Sequence, residues 1–337
     1  MIKFKKRHAT IICILISIAF TSCNSDDGDS TNGNWINRSA FDGPARSSTV
    51  SFVIDNLAYI ATGYTGEDNG YLNDLWVYNP NGDFWEQKAN FIGIGRSSAS
   101  GFELNGKGYL GLGYDGTNRL KDFYQYDPST NTWSQKADYA GTARYGAIGF
   151  QVGDKAYIGT GYDGNYQKDI YQYIPGATDT DPGTWVTNNG YGGNKRRDAA
   201  VFIINNKAYL GTGSNNGLYE TDFWEFDPTT EVWTRKRNLD YEDSYNIARS
   251  NASGFAINGY GYIACGVNTG AISSVWEYNP NNDTWDEKTS YEGTVRYDAT
   301  AFSIQNSRGY VVLGRTGSSF FDDLWEFMPF EEYDDED

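Results

Sequence analysis

The sequence predicts an all-β chain, a single six-bladed β-propeller with four antiparallel strands per blade and a ring closed by an N-terminal strand. Three observations lead there. The 337 residues include 39 Gly, 27 Tyr, 18 Phe and 10 Trp but only 2 Met, a composition that favours short strands and tight turns over a helical bundle. An arginine recurs at Arg46, Arg96, Arg144, Arg197, Arg249 and Arg296, at intervals of 50, 48, 53, 52 and 47 residues. Periods of this length mark propellers or solenoids. Each unit also contains four strand-like runs, the number in one propeller blade.

The elements follow in the same order in every unit. After the arginine comes an apolar run such as Ser51-Phe52-Val53-Ile54. A two-residue turn follows: Asp55-Asn56, Asn105-Gly106, Gly153-Asp154, Asn205-Asn206, Asn258-Gly259 or Gln305-Asn306. These residue types tolerate the positive φ that tight hairpins demand. The second strand carries Tyr59, Tyr109, Tyr157, Tyr209, Tyr262 or Tyr310 and ends at Gly63, Gly113, Gly161, Gly213, Gly266 or Gly314. A variable loop leads to a third strand, for example Asp74 to Pro80, Asp122 to Pro128 or Asp222 to Pro228; the fifth unit has Ser274 in place of the aspartate. The fourth strand opens with Trp85, Trp133, Trp185, Trp233 or Trp285.

The sixth unit ends at Pro329 without a tryptophan strand, and Trp35-Ile36-Asn37-Arg38 supplies one at the other end of the chain. This segment is expected to complete the last blade and remove the open sheet edge. The tyrosine, glycine, Tyr/Phe-x-Pro and tryptophan marks over residues 35–329 resemble the kelch repeat. One departure is that the usual glycine pair is single, its first position holding Thr62, Leu112, Thr160, Thr212, Cys265 and Leu313. Cys265 is therefore expected to be a small buried hydrophobe rather than a nucleophile.

Outside the propeller the sequence divides into three further parts. Residues 1–22 read as a signal peptide: a basic start, then the apolar run Ala9 to Phe20, too short to span a bilayer. Phe20-Thr21-Ser22-Cys23 resembles a bacterial lipobox with Phe20 in place of the usual leucine, which implies lipidation of Cys23; ordinary cleavage near Ser22 is the alternative. Residues 23–34 form a polar acidic tether, similar to the surface-export signal of Bacteroidetes lipoproteins. A calcium loop is its competing reading. Residues 330–337 are an acidic tail. The expectation is an exported lipoprotein of the outer membrane, exposed at the cell surface, monomeric, and in contact with the membrane only through its lipid.

Composition excludes several functions. The net charge is −17, so nucleic acid is not an expected partner. The one histidine, His8, lies in the leader. Without a mature histidine there is no Ser-His-Asp triad and no histidine-ligated metal. Only Cys23 and Cys265 remain beyond the leader, so no disulfide framework exists. No cofactor is expected.

Candidate ligand-binding residues fall on the face that carries the loops between strands two and three and between blades, where function on rigid scaffolds concentrates. Arg46, Arg96, Arg144, Arg197, Arg249 and Arg296 are expected round the channel mouth; the stronger reading is that they cement the blades, bonding carbonyls or stacking on a neighbour's aromatic ring, and the weaker is that some of them form a cationic funnel for carboxylate or sulfate. Phe41, Phe91, Tyr139 and Tyr291, five residues before their arginines, are expected to pack between blades. Tyr64, Tyr114 and Tyr162 are candidates for stacking on sugar rings. Asp115 and Asp163 are candidate acceptors of sugar hydroxyls, or tight-turn residues. Tyr241 and Tyr245 lie in an insert that lengthens the Trp233–Arg249 spacing to 16 residues. Asp179 and Asp181, in an insert on the opposite face, are a weak calcium candidate.

The kelch resemblance implies three functional classes. Copper galactose oxidases need histidine ligands, which this chain lacks. Sugar mutarotases of the sialic-acid type need an acid–base pair and an arginine, with Glu67, Glu242, Asp115 and Asp163 conceivable as the acid–base groups. Binding modules need no catalytic constellation, and none stands out. The expected function is a non-catalytic binding or scaffold module for extracellular glycan or protein, with the mutarotase as alternative.

Overall fold

The computed structural model describes residues 32–188 and 190–334. The signal peptide, Cys23 and most of the tether lie outside the described residues. Six four-stranded antiparallel sheets are arranged round an axis. The first consists of Val50–Ile54, Leu57–Ala61, Leu75–Asn79 and Phe84–Lys88 from axis to rim. The inner strands of the next five blades are Ser100–Leu104, Ile148–Val152, Ala200–Ile204, Ser253–Ile257 and Thr300–Ile304. The sixth blade takes its outer strand, Asn34–Arg38, from the N-terminal end, paired antiparallel with Leu324–Met328.

Local chemistry explains why each unit folds alike. Asp55 and Asn56 sit at φ of 51° and 63°, Asn205 and Asn206 at 48° and 60°, the left-handed turn geometry that these residues accept. Across each hairpin a phenylalanine stacks on the tyrosine opposite it. Phe52 pairs with Tyr59 at 5.5 Å between ring centroids and Phe302 with Tyr310 at 5.0 Å. Such pairs add about 0.5–1.5 kcal/mol beyond area burial. The outer tryptophans lock neighbours together. The Trp85 indole N–H donates to the Ser39 carbonyl, Trp133 to Ala89 and Trp185 to Ala137.

Closure rests on the same devices. Trp35 is fully buried, edge-on to Tyr291 at 5.0 Å. Arg38 Nε donates to buried Glu326 at 2.7 Å, which also accepts from Arg308. Two backbone hydrogen-bond circuits run round the whole ring. In one, the N–H of Gly63, Gly113, Gly161, Gly213, Gly266 and Gly314 each donates to the carbonyl of the repeat arginine in the next blade, and Gly314 returns to Arg46.

The repeat arginines are the main correction. Arg46, Arg96, Arg144, Arg249 and Arg296 are buried, at 0–1% exposure, and do not line the channel mouth. In blade four that position belongs to Arg196, not Arg197: Arg196 is equally buried and follows Tyr191 by five residues. Arg96 donates Nη1 and Nη2 to Asp122 at 2.6 and 2.8 Å, and Nη1 also to the Leu112 carbonyl. Arg46 with Asp74, Arg144 with Asp169 and Arg296 with Asp323 repeat this fork, and Arg196 pairs with Asp222. Phe41, Phe91, Tyr139, Tyr191 and Tyr291 lie under their guanidinium groups at 4.9–5.5 Å. The carbonyl each arginine binds is that of Thr62, Leu112, Thr160, Thr212, Cys265 or Leu313. All six have φ of 59–65°, a conformation that costs a non-glycine residue free energy. Cys265 is fully buried, and burial pushes its thiol up to about 12.

Blade five lacks the carboxylate. Arg249 donates instead to the Ile247, Cys265, Asn246 and Ser274 carbonyls and to Ser274 Oγ, and burial pulls its guanidinium down to about 10. Replacing Asp122 with alanine is expected to cost about 3–5 kcal/mol, since it strands a buried cation; urea denaturation measures it. Ser274→Asp is expected to stabilise the protein, raising its thermal midpoint by a few degrees.

Candidate functional site

On the loop face each blade extends its sheet by a short ladder of three residues joined by two pairings. The residue after the buried arginine is Ser47, Ser97, Tyr145, Arg197, Ser250 or Tyr297. It pairs with the residue after the glycine: Tyr64, Tyr114, Tyr162, Ser214, Val267 or Arg315. That residue pairs in turn with Tyr71, Arg119, Tyr166, Tyr219, Ala271 or Phe320. These columns, unlike the buried arginines, vary from blade to blade.

One residue further along stand Ser48, Ser98, Gly146, Asp198, Asn251 and Asp298, all at φ of 48–63°. Each donates its backbone N–H to the carbonyl of its counterpart in the blade before, with Ser48 donating to Asp298 at 2.9 Å to close the second circuit. This collar floors an axial cavity of about 340 Å³ to which all six blades contribute.

Charge gathers on one side of the cavity. Arg197 Nη1 donates to the Tyr145 hydroxyl at 2.6 Å, its Nε lies 3.2 Å from Asp198, and its guanidinium faces the rings of Tyr145, Tyr162 and Tyr166 at 5.3–5.9 Å. Arg315 Nε donates to Asp298 at 3.0 Å while resting on Tyr297. Asn251 lies between the two acids and donates to Asp298 at 2.5 Å. The Asp198 side chain is 13% exposed. Burial pushes its carboxyl up to about 7, with Asp298 adding repulsion and Arg197 and Asn251 acting the other way. Two carboxylates, two guanidinium groups and several phenols in one concavity can donate to and accept from the hydroxyl and carboxylate groups of a sugar. Among the described residues no cluster of three or more His, Cys, Asp or Glu is arranged for a metal ion.

The structure distributes the other sequence candidates as follows. Tyr64 lines the cavity, and Tyr114 and Tyr162 stand beside it, all half-buried. Asp115 accepts from the N–H groups of Thr117 and Asn118, and Asp163 from Asn165 N–H and the Thr142 hydroxyl, so both carboxylates shape turns. The 238–245 insert sits by the outer strands, away from the axis. There Tyr241 is 60% exposed under Arg237, and the Tyr245 hydroxyl accepts the Trp285 N–H while its ring packs on Trp276. Tyr245 thus takes a packing role at the blade four–five junction. Asp181 caps its own loop, accepting from Ala177 and Gly183.

Sequence reasoning missed Asp198, Asn251, Asp298 and Arg315. A signal for the first three was present, since all stand two residues after a correctly aligned buried arginine.

The comparisons with known proteins come to the same fold. A Kelch motif model matches residues 113–138. A solved structure titled "Structure of YjhT" superposes with a TM-score of 0.69 at 16% identity, covering 85% of this chain and 95% of that one. A sequence search of curated proteins returns no match. The chain is a six-bladed propeller with a match to the Kelch motif over residues 113–138, a scaffold compatible with binding or with catalysis.

The raised Asp198 carboxyl predicts a pH signature. The folded state keeps a proton that the unfolded chain releases near pH 4, so this contribution to stability is complete below about pH 4, declines from there to about pH 7, and is gone above. Denaturation series from pH 4 to 8 should therefore show Asp198→Asn gaining on the wild type by up to about 4 kcal/mol, with no further change above pH 8.

Proposed function

We propose that this propeller is a non-catalytic glycan-binding module, displayed at the cell surface by a lipid on Cys23, that holds its ligand at the axial mouth of the loop face. The observation that carries this is the 340 Å³ polar cavity joining Arg197, Arg315, Asp198 and Asp298 to half-buried tyrosines. A concavity of this size suits one or two sugar rings better than a flat protein epitope. Display rests on the basic–apolar leader and on the cysteine after it.

One observation favours the mutarotase as second reading. An axial carboxyl near pH 7, next to an arginine and a second acid, matches what acid–base chemistry on a sugar needs.

A glycan array probed with the purified chain tests binding. Arg197→Ala is expected to abolish retention, whereas Tyr241→Ala, at the rim insert, leaves it intact. Retention unaffected by Arg197→Ala would move the site elsewhere. NMR of anomer exchange in free reducing sugars separates the two readings. A binder leaves the exchange rate at its spontaneous value, and a mutarotase accelerates it in a way that Asp198→Asn removes.

A further inference from the structure

From the wall of the axial cavity, which Tyr64, Tyr71 and Tyr145 line, the loop face carries an unbroken run of aromatic side chains. Phe320 meets Tyr64 at 6.0 Å, Tyr64 meets Tyr71 at 4.7 Å, Tyr71 meets Tyr114 at 6.1 Å, Tyr114 meets Tyr145 at 5.7 Å, Tyr145 meets Tyr162 at 5.7 Å and Tyr162 meets Tyr166 at 5.0 Å. All seven rings are half-buried: each is fixed by its neighbours and still presents surface to solvent. The hydrophobic core does not include them, because they belong to the bridge columns outside the blades.

The run is an arc, not a ring. It starts in blade six, crosses blades one and two, and ends in blade three. Blade five places Ser250, Val267 and Ala271 at the same columns and has no ring there. A closed aromatic ring would suit one compact ligand on the axis, whereas an open arc suits an extended ligand with two ends. Towards the blade-three end of the arc, Arg119 is exposed, lies 5.2 Å above the Tyr162 ring and has no ion-pair partner among the described residues. Arg197 stands over the same ring from the axial side. In a chain of net charge −17, two guanidinium groups at one phenol, Arg119 without an acid partner among the described residues and Arg197 beside Asp198, concentrate positive charge locally. This charge favours an anionic ligand, which the rest of the surface would repel.

We infer that the arc is a track for a linear glycan bearing carboxylates, engaging several consecutive sugar units by stacking on Tyr64, Tyr71, Tyr114 and Tyr162 and holding a uronate carboxylate between Arg119 and Arg197. This rests on the glycan-binding function proposed above and specifies its ligand as an internal stretch of an acidic polymer rather than a single sugar. The rings supply sequence-tolerant apolar platforms, and the arginines supply the selection for acid.

Titration calorimetry of the full chain with oligogalacturonides of one, two, four and six units, and with neutral xylo-oligosaccharides of the same lengths, tests it. The expected result is an affinity that rises about tenfold or more from monomer to tetramer. Tyr114→Ala, outside the axial cavity, should lower tetramer affinity severalfold while leaving the monomer unchanged. Arg119→Ala should weaken only the acidic series and flatten its salt dependence. Monomer and hexamer binding equally, or monomer alone binding, overturns the track and leaves the axial glycan site standing. Equal affinity for neutral and acidic series overturns the acidic assignment. Binding of no saccharide overturns both the track and the glycan function.

Discussion

Each blade is built round a guanidinium group removed from water. In every blade but the fifth it bonds a carboxylate at the start of the third strand, and an aromatic ring from the preceding linker covers its face. In all six, one Nη also donates to the carbonyl of a left-handed residue at the end of the second strand. One side chain therefore fixes three segments that are otherwise free to move: the linker, the end of the hairpin and the entry to the third strand. Removing one partner of such a pair leaves a buried charge uncompensated unless other groups take up its hydrogen bonds, so the pair favours a single arrangement. For Asp74, burial would raise the carboxyl, yet the hydrogen bonds and charge of Arg46 hold it below its ordinary value. The same arginine ties its blade to the preceding one, because its backbone carbonyl accepts the N–H of the glycine that ends that blade's second strand, a link in one of the two hydrogen-bond circuits. Ring closure, inter-blade register and loop geometry all depend on this unit.

That rigidity is what lets the neighbouring positions specialise. The residue directly after each buried arginine is held at a fixed place on the loop face whatever its identity, and the residue after that is turned towards the axis by its positive φ. Serine, tyrosine and arginine occupy the first of these columns, and serine, glycine, asparagine and aspartate the second. The cavity is polar and charged on the side of blades four to six, where blade five contributes Asn251 but no aromatic ring, and aromatic over blades one to three. This asymmetry has no structural cause in a sixfold scaffold, since each blade closes with its own cement. Blade five shows that the scaffold tolerates loss even of the aspartate, when carbonyls and Ser274 take up the donors of Arg249.

The fold was legible because everything it needs recurs: the hairpin turns, the Phe–Tyr stack, the outer tryptophan and the Trp35 segment that completes blade six. The same recurrence misled at the site. Six evenly spaced arginines in an acidic chain resemble a cationic funnel, yet a residue that every blade needs is for that reason part of the blade. In blade four the adjacent pair Arg196-Arg197 hid the distinction, although Tyr191, five residues before Arg196, marks the structural member. Tyr64, Tyr114 and Tyr162 were legible from their place after the glycine. Asp198 and Asp298 were not, because residues 100 positions apart meet only through ring closure and through backbone angles that no residue type announces. The insert at 238–245 reads in sequence equally as a specificity loop or a tolerated insertion; in the fold Tyr245 accepts the Trp285 backbone N–H and packs on Trp276.

On the proposed division of labour, the periodic residues hold the propeller and the aperiodic loop-face columns hold the ligand. Hydrogen–deuterium exchange of the whole protein, with and without a saturating retained glycan, tests it most directly. The account predicts slowed exchange confined to the bridge segments round 47, 64–71, 97, 114–119, 145, 162–166, 197–198 and 298–315, with the hairpin turns at 55–56, 105–106 and 205–206 and the rim insert unchanged. Protection centred on those turns or on the insert, with the loop-face columns unaltered, would contradict it.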